Sequence, residues 1–572
     1  MPKNNLKIPI FALSLSAVAL LQTSNNVLAS SDSLNNINSA ILSEIQLNQI
    51  YDINEDNTID IFDVVALRND INQKYNSSGE IITSDYSATA ENVKLIGRNY
   101  INNGITWLAQ SGSAVEFNIT GSAAEVTVVG DYSINSDEKY RPRYAVIVDD
   151  EIIKDVIIDK SEQTIEIFKS ESNKTVNVKI ILLSEGAMGC IGVSNISVTS
   201  DKTYPITPVS NKDLKIEFIG DSITCAYGVE ANSNYDPFTT STENFMKSYA
   251  YLTAELLNAD YSTVCYSGHG IISGYSTGEK VTESLIPDYY SLINKNKDYA
   301  HNWNFSDNPN DVVVINLGTN DSSYLNYGFE ERSPEFVEEY ENFLYDVRDK
   351  NPDAHIICTV GTMGGTEVYD LIVEAIENYT AKTNDKKVTH YLSVTQNQAD
   401  GYGADWHPSE ITQQNSAYVL ADKICGALGI ESSQIGLNMA ENSEYEIIIN
   451  NPSAYAASYV GYDKSFWINT TSGGDEISDI IAQISDIQLK ENCKYRLEFD
   501  YTSSVNGVSI PFEIKSENTS YYNEKLLTSS EKQHFSDIFT ATGNDVTDLL
   551  FYIGCNDSFN LTLSNIKLIK IG

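Results

Sequence analysis

Between residues 213 and 432, apolar runs of strand length alternate with amphipathic helical patterns, and this alternation limits the fold more than any other feature of the chain. The runs are Leu214-Lys215-Ile216-Glu217-Phe218-Ile219, Asp311-Val312-Val313-Val314-Ile315-Asn316 and residues 355–360, and the helical patterns lie near 247–258, 334–349, 366–381 and 410–428. A strand that returns through a helix lies parallel to its predecessor, and helices on both sides cover the sheet. The expectation is an α/β three-layer domain with a parallel sheet at 210–432, its functional loops at the carboxyl ends of the strands.

On either side the rhythm shortens. Residues 80–205 carry alternating runs such as Val115-Glu116-Phe117-Asn118-Ile119 and Tyr144-Ala145-Val146-Ile147-Val148, and residues 440–572 carry others such as Tyr445-Glu446-Ile447-Ile448-Ile449. Turn signals between them predict a β-sandwich before the α/β domain and a second one after it. With 572 residues the chain is too long for one core, so a multidomain reading follows.

The first 29 residues read as a signal peptide: Lys3 and Lys7 are basic, Ile8 to Leu21 are apolar, and Val27-Leu28-Ala29 ends in a small residue. Cleavage after Ala29 makes the protein secreted, with no membrane attachment afterwards. The competing reading, an uncleaved anchor, meets a stretch short of the roughly 20 residues a span needs. A formal charge of −42 excludes nucleic acid and anionic membrane surfaces as partners and leaves a neutral or acetylated polysaccharide unopposed. The seven cysteines are scattered, with no zinc-type spacing, and read mostly as small buried hydrophobes.

Residues 31–78 contain a separate signal. Asp52, Asn54, Asp56, Asp60 and Asp63 place oxygen ligands at positions 1, 3, 5, 9 and 12 of a loop, and Thr58 offers its carbonyl at position 7. Alternate side chains converging on one centre suit Ca²⁺ as a structural ion. An acidic loop without metal is the other reading.

The chemistry of the chain concentrates on four short blocks. Gly220-Asp221-Ser222 follows the first apolar strand, so a hydroxyl stands at a strand's carboxyl end. A serine becomes a nucleophile when a base takes its proton, and the six histidines can be sifted by position. His301, His355, His390 and His534 fall in a polar loop, in or before strands, or in the far β region, which leaves His269 and His407. His407 precedes Pro408 and a helix that Ser409 can cap, and it is the expected base. Asp405 is one candidate to orient its imidazole, and a backbone carbonyl near Ala404 is the other. Trp406 is either a core aromatic or a wall of the substrate pocket. The N–H groups of Ser222 and Gly268 and the amide of Asn320 supply candidate donors for an oxyanion.

Gly220-Asp221-Ser222, Gly268, Gly318-Thr319-Asn320-Asp321 and Asp405-Trp406-His407-Pro408 resemble the four blocks of the SGNH (GDSL-type) hydrolases. Within that superfamily, Ile219 to Gly228, Ser267-Gly268-His269-Gly270-Ile271, Gly97-Arg98 and Arg143 to Asp149 resemble carbohydrate esterase family 2. The resemblance implies a jelly roll before the hydrolase domain and removal of acetyl groups from xylan or glucomannan. It makes Ser222 the nucleophile, His407 the base, and Gly268 with Asn320 the oxyanion donors. No catalytic cofactor is expected. The usual Asp-x-x-His block has Ala404 in its acidic position, which puts the role of Asp405 in question. The alternatives are a general GDSL esterase or lipase and a non-catalytic polysaccharide-binding protein.

With Asp63 at its twelfth position, the loop of residues 52–63 resembles a dockerin repeat, which implies a cohesin-type scaffold protein as a partner and a cellulosome-associated location. The last β region resembles jelly-roll carbohydrate-binding modules in general pattern. Its Trp467, Tyr462, Tyr521 and Tyr522 read either as a sugar platform or, as aromatics in β folds more often are, as core.

Overall fold

The structure is a computed structural model that describes residues 81–571 apart from Thr203, Asn442 and Tyr462. The signal-like segment 1–29 and the loop bearing Asp52, Asn54, Asp56, Thr58, Asp60 and Asp63 lie outside the described residues, as does Tyr462.

Five strands, β1 (Leu214–Gly220), β2 (Ala259–Cys265), β3 (Val312–Asn316), β4 (His355–Val360) and β5 (Val388–Leu392), form a parallel sheet in the order β2-β1-β3-β4-β5. Helices α1 (Ser222–Cys225), α2 (Tyr249–Leu256), α3 (Ile286–Tyr289), α4 (Thr319–Leu325), α5 (Phe329–Lys350), α6 (Thr366–Thr383) and α7 (Glu410–Leu428) connect or flank them. The two-residue period of a strand sends successive side chains of β3 to opposite layers. Val313 and Ile315 meet Phe336, Tyr340 and Leu344 of α5 and Ile372 of α6, whereas Val312 and Val314 meet Tyr249 of α2 and Leu420 and Ile424 of α7. Each such buried Val, Ile or Leu contributes about 1.5–3 kcal/mol. Helix α5 begins five residues before the pattern at 334 and holds Pro334 inside it. Glu330 and Glu331 in its first turn suit the positive end of the helix.

This strand order places a switch point at β1, from which the chain runs outward to β2 on one side and β3 on the other. The crevice beyond the carboxyl ends of these strands is where open α/β sheets bind ligands.

Residues 82–208 form ten strands in one hydrogen-bonded network around the long strands Ala114–Gly130, Glu162–Leu182 and Ile191–Ser200. Register shifts at Gly121/Ala123 and Ala124/Glu125 bend the long strands, so the network encloses a core containing Phe117, Val126, Tyr144, Val178 and Val193. The β region expected before the α/β domain is thus one continuous network.

Residues 444–570 form two five-stranded antiparallel sheets that share a core containing Phe466, Phe499, Phe512, Phe551 and Leu561. Tyr521 and Tyr522 pack partly buried against that core and donate their hydroxyls to Asp545 and Asp537. Trp467 is half-buried and stacks on Tyr459 across neighbouring strands. Five of the seven cysteines, 190, 225, 265, 358 and 425, are buried, and all seven are unpaired. No helix among the described residues is long and apolar enough to cross a membrane.

Candidate active site

Where β1 ends, the chain turns sharply into the single turn α1. A Cβ on Gly220 would lie 2.0 Å from Thr224 Oγ1, so only glycine fits there. The Asp221 carboxylate accepts the Ile223 N–H at 3.0 Å and caps the turn. Ser222 is thereby lifted to the floor of the crevice, 7% exposed.

His407 reaches this hydroxyl from the loop before α7, its Nε2 lying 2.8 Å from Ser222 Oγ. Its Nδ1 lies 3.1 Å from the Ala404 carbonyl oxygen. A carbonyl can only accept, so Nδ1 carries the proton and Nε2 is left to accept from Ser222. One face of the ring is covered by a stack: Tyr227 lies on it at 4.1 Å, and Phe238 lies on Tyr227 at 4.3 Å. Burial pulls the imidazole down to about 4, opposed by its bond to Ala404 and the charge of Asp405, so it is neutral at ordinary pH.

The expectation that the Asp405 carboxylate orients His407 is corrected here. Asp405 and Trp406 both adopt left-handed backbone angles, φ 49° and 64°, and this turns the carboxylate outward. It accepts the Tyr227 hydroxyl at 2.7 Å instead. The loop is held from behind, where Ala404 N–H donates to the Gly228 carbonyl at 3.0 Å and a Cβ on Gly228 would strike Ala404. His269, the other histidine left by elimination, is engaged elsewhere: its Nε2 lies 2.7 Å from Lys295 Nζ.

Gly268 follows β2 with φ 76°, and a Cβ there would meet no atom within 4 Å, so the space above it is open. Among the described residues, neither the Gly268 N–H nor the Ser222 N–H meets an acceptor. Asn320, at the start of α4, differs from expectation because its Nδ2 donates to Asp221 at 3.1 Å and to the His269 carbonyl at 2.9 Å. Burial raises Asp221 to about 7, with the charge of Asp321 adding to the effect. Asp321 accepts the N–H groups of Ile271, Ile272 and Ser273 and is raised to about 6, again chiefly by burial. These carboxylates tie the three loops of the crevice together.

Trp406 is no core residue. It is 49% exposed beside the site, edge-on to Tyr235 at 5.8 Å and 5.2 Å from Tyr402. Tyr227 and Phe238, stacked in turn on one face of the imidazole, escaped the sequence reading as site residues. Their only signal is position: both lie in the loop immediately after the Gly-Asp-Ser turn.

The geometry combines a hydroxyl bonded to a neutral imidazole with unspent N–H groups beside it, a set suited to attack on a carbonyl carbon. Residues 218–414 match the GDSL-like Lipase/Acylhydrolase family, and residues 95–208 match the Carbohydrate esterase 2 N-terminal family. The chain is 33% identical over 324 residues to Cellulase/esterase CelE of Acetivibrio thermocellus, covering 56% of this chain and 38% of that one. It thus spans well under half the length of that relative. It is 24% identical over 339 residues to an Acetylxylan esterase / glucomannan deacetylase of Cellvibrio japonicus, covering 59% of this chain and 89% of that one. Among solved structures, a family two carbohydrate esterase from Clostridium thermocellum in complex with cellohexaose matches with a TM-score of 0.52 and 31% identity, over 59% of this chain and 99% of that one. The two matched regions, the parallel sheet and the whole-length match to that structure agree: the chain belongs to the family two carbohydrate esterases.

Proposed function

We propose that the chain is a secreted esterase that removes acetyl groups from plant polysaccharides such as xylan and glucomannan through a serine acyl-enzyme. The observation that carries this reading is the 2.8 Å contact between Ser222 Oγ and His407 Nε2, with Nδ1 held by a carbonyl. The relatives that act as acetylxylan esterase and glucomannan deacetylase support the substrate class.

In the first half-reaction, Ser222 Oγ gives its proton to His407 Nε2 and bonds to the acetyl carbon. The carbonyl π electrons move onto oxygen, and the N–H groups of Ser222 and Gly268 receive the negative charge. Asn320 joins them by sharing a hydrogen now given to Asp221 or His269. The tetrahedral adduct collapses, the sugar oxygen leaves with the proton from Nε2, and acetyl remains on Ser222. Water then gives a proton to Nε2 and attacks the acetyl carbon, and release of acetic acid restores Ser222. The Ala404 carbonyl stabilises the imidazolium without a second charge, so Ser222 and His407 act as a dyad. Trp406, with Tyr235 and Tyr402, offers apolar ring surface for the face of a sugar.

The ten-stranded region serves as the jelly roll of the family, and the last region serves as a sandwich that supports or tethers the enzyme. Residues 31–78 bind one Ca²⁺ through Asp52, Asn54, Asp56, Thr58, Asp60 and Asp63 and dock to a cohesin-type scaffold. Calcium titration of the full chain, read by heat of binding with and without Asp52→Ala, tests this; no calcium-dependent signal removes it.

Acetate release from a panel of acetylated xylan, glucomannan and long-chain acyl esters tests the main reading. Ser222→Ala and His407→Ala should each cut turnover by at least about 10³-fold. Asp405→Asn should leave most of it. Turnover that survives Ser222→Ala overturns the mechanism, and preference for long acyl chains overturns the substrate class.

A further inference from the structure

The region before the hydrolase domain sends one charged side chain into the site's foundations. The loop after strand Glu162–Leu182 enters the junction, where Phe245 N–H donates to the Leu183 carbonyl at 2.9 Å. Asn294 and Asn296 donate to the Gly186 carbonyl at 3.0 and 2.9 Å, and a Cβ on Gly186 would lie 2.2 Å from the Ala109 carbonyl oxygen. Between these anchors Glu185 is buried, 1% exposed.

A single carboxylate oxygen of Glu185 serves two loops of the site. Oε2 accepts the Ser267 N–H at 2.9 Å, one residue before Gly268, and it lies 3.9 Å from the Cys225 Sγ of α1, three residues after Ser222. The other oxygen, Oε1, is buried without a donor, as is Oε1 of Glu243, whose Oε2 accepts the Glu185 N–H at 2.9 Å. Burial and the charge of Glu185 push Glu243 well up, so Glu243 is the member of the pair that holds a proton. Burial raises Glu185 as well, while the Ser267 N–H and the cation of Lys295 favour its charge.

The remaining bonds of the loop come from the hydrolase domain itself. His269 Nδ1 donates to the Ser267 carbonyl at 2.9 Å, which leaves Nε2 to accept from Lys295, and the Gly268 carbonyl accepts from Tyr275 N–H at 2.8 Å. The His269 carbonyl accepts from Asn320. Ser267 N–H, Ser267 O, Gly268 O and His269 O are thus all tied, and of this segment's groups the Gly268 N–H is left without an acceptor among the described residues. Without Glu185, the peptide adjoining Gly268 loses the one tie that comes from outside the hydrolase domain.

We propose that Glu185 is a positioning residue for the oxyanion: held by the preceding β region, it fixes the Ser267–Gly268 segment relative to the Ser222 turn and so aims the Gly268 N–H. The inference rests on the serine mechanism above. It is tested in the full chain with Glu185→Gln, which keeps the length and an acceptor oxygen but loses the charge, and Glu185→Asp, which keeps the charge but withdraws it from Ser267. Rates are normalised to the folded fraction. A positioning role predicts that Glu185→Gln retains turnover within about fivefold, whereas Glu185→Asp loses about 10²-fold in kcat with little change in KM, since the donor matters chiefly in the transition state. The reverse order, with Asp tolerated and Gln not, overturns the proposal in favour of a purely electrostatic role. A loss confined to KM, or no loss in either variant, overturns it as well. Ser222→Ala run alongside separates the cases: if that variant is inert while Glu185 fails its test, only this inference falls.

Discussion

The hydrolase domain meets a β region at each end, and the two junctions are built on different principles. At the first, Arg98 forms an ion pair with Glu217 of β1 at 2.9 Å, both side chains fully buried, and donates to the carbonyls of Tyr290 and Leu292. Lys94 pairs with Asp260 at 2.5 Å, Arg143 reaches Glu230 at 2.6 Å, and Thr263 and Tyr261 of β2 donate to Ser111 and Gly112 carbonyls. At the second, the joining segment pairs with the last β region itself: Gly436 and Met439 N–H donate to Lys570 and Leu568, each at 2.7 Å. The ion pair across this junction, Lys490 with Glu431, is 52% and 80% exposed. Buried opposite charges that meet across a boundary make the two sides one folding unit, whereas an exposed pair makes a tether.

Deletion is the strongest way to break this contrast. Removal of residues 81–205 should abolish soluble, active enzyme, because it strips Arg98 from buried Glu217 and Glu185 from Ser267. Removal of residues 436–572 should leave turnover of a small acetyl ester unchanged, with any loss restricted to polymeric substrate. Acetate release and soluble yield check both, and an active chain lacking 81–205 would end the comparison.

A single substitution at the first junction should have the next largest effect. Arg98→Ala leaves Glu217 buried and unpaired, and it should lower unfolding free energy by about 3–5 kcal/mol in denaturant titration. Replacing both, as Arg98→Met with Glu217→Leu, should recover most of that loss. If the single variant is as stable as the parent, the junction is not held by this pair.

The same contrast explains what was legible in the sequence. Strands β1, β3 and β4 show as apolar runs because helices bury them on both faces. Strand β2, Ala259–Cys265, did not, because its buried Ser262 and Thr263 look like surface until Glu217 and Ser111 are seen beside them. Strand β5, at the sheet edge, lacks the pattern for a different reason: its Thr389 and His390 are exposed to solvent. Ser222 and His407 could be found because glycine, capping and proline signals surround them locally. The choice between Asp405 and a carbonyl near Ala404 was not legible, because two successive left-handed residues redirect the Asp405 side chain and spacing does not report backbone sign. Glu185 was out of reach, since it acts on a peptide 82 residues away.

The two halves should also respond oppositely to pH. In the catalytic unit Asp221 and Asp321 are raised by burial to about 7 and about 6, so the folded state holds protons that the unfolded state has released. Stability from this source falls as pH rises from about 4 through 7 and levels off above. In the last β region Asp500 is lowered to about 2, its burial outweighed by bonds to Lys532, His534 and Asn565. Its contribution is present above about 4 and is lost as pH falls towards 2. His407 and His269, both pulled down to about 4 by burial, act in the opposite sense below about 6.5, but four raised carboxyls, with Glu185 and Glu243 beside Asp221 and Asp321, outweigh these two imidazoles. Calorimetry of the full chain, with the 436–572 deletion assigning the transitions, should show the catalytic transition move down between pH 4 and 7 while the other moves down only in acid. Parallel movement would mean that the regions unfold as one.

The smallest expected effect is the most exacting test of the tether. In Lys490→Ala, an exposed ammonium is removed and the Glu431 carboxylate it paired with regains water at no loss of packing. Neither calorimetric transition should shift, and acetate release should match the parent at low and high salt. A shift in the catalytic transition would mean that the second junction carries load through this pair, and the separation between an integral first β region and a hanging last one would fail at the point where it is most sharply drawn.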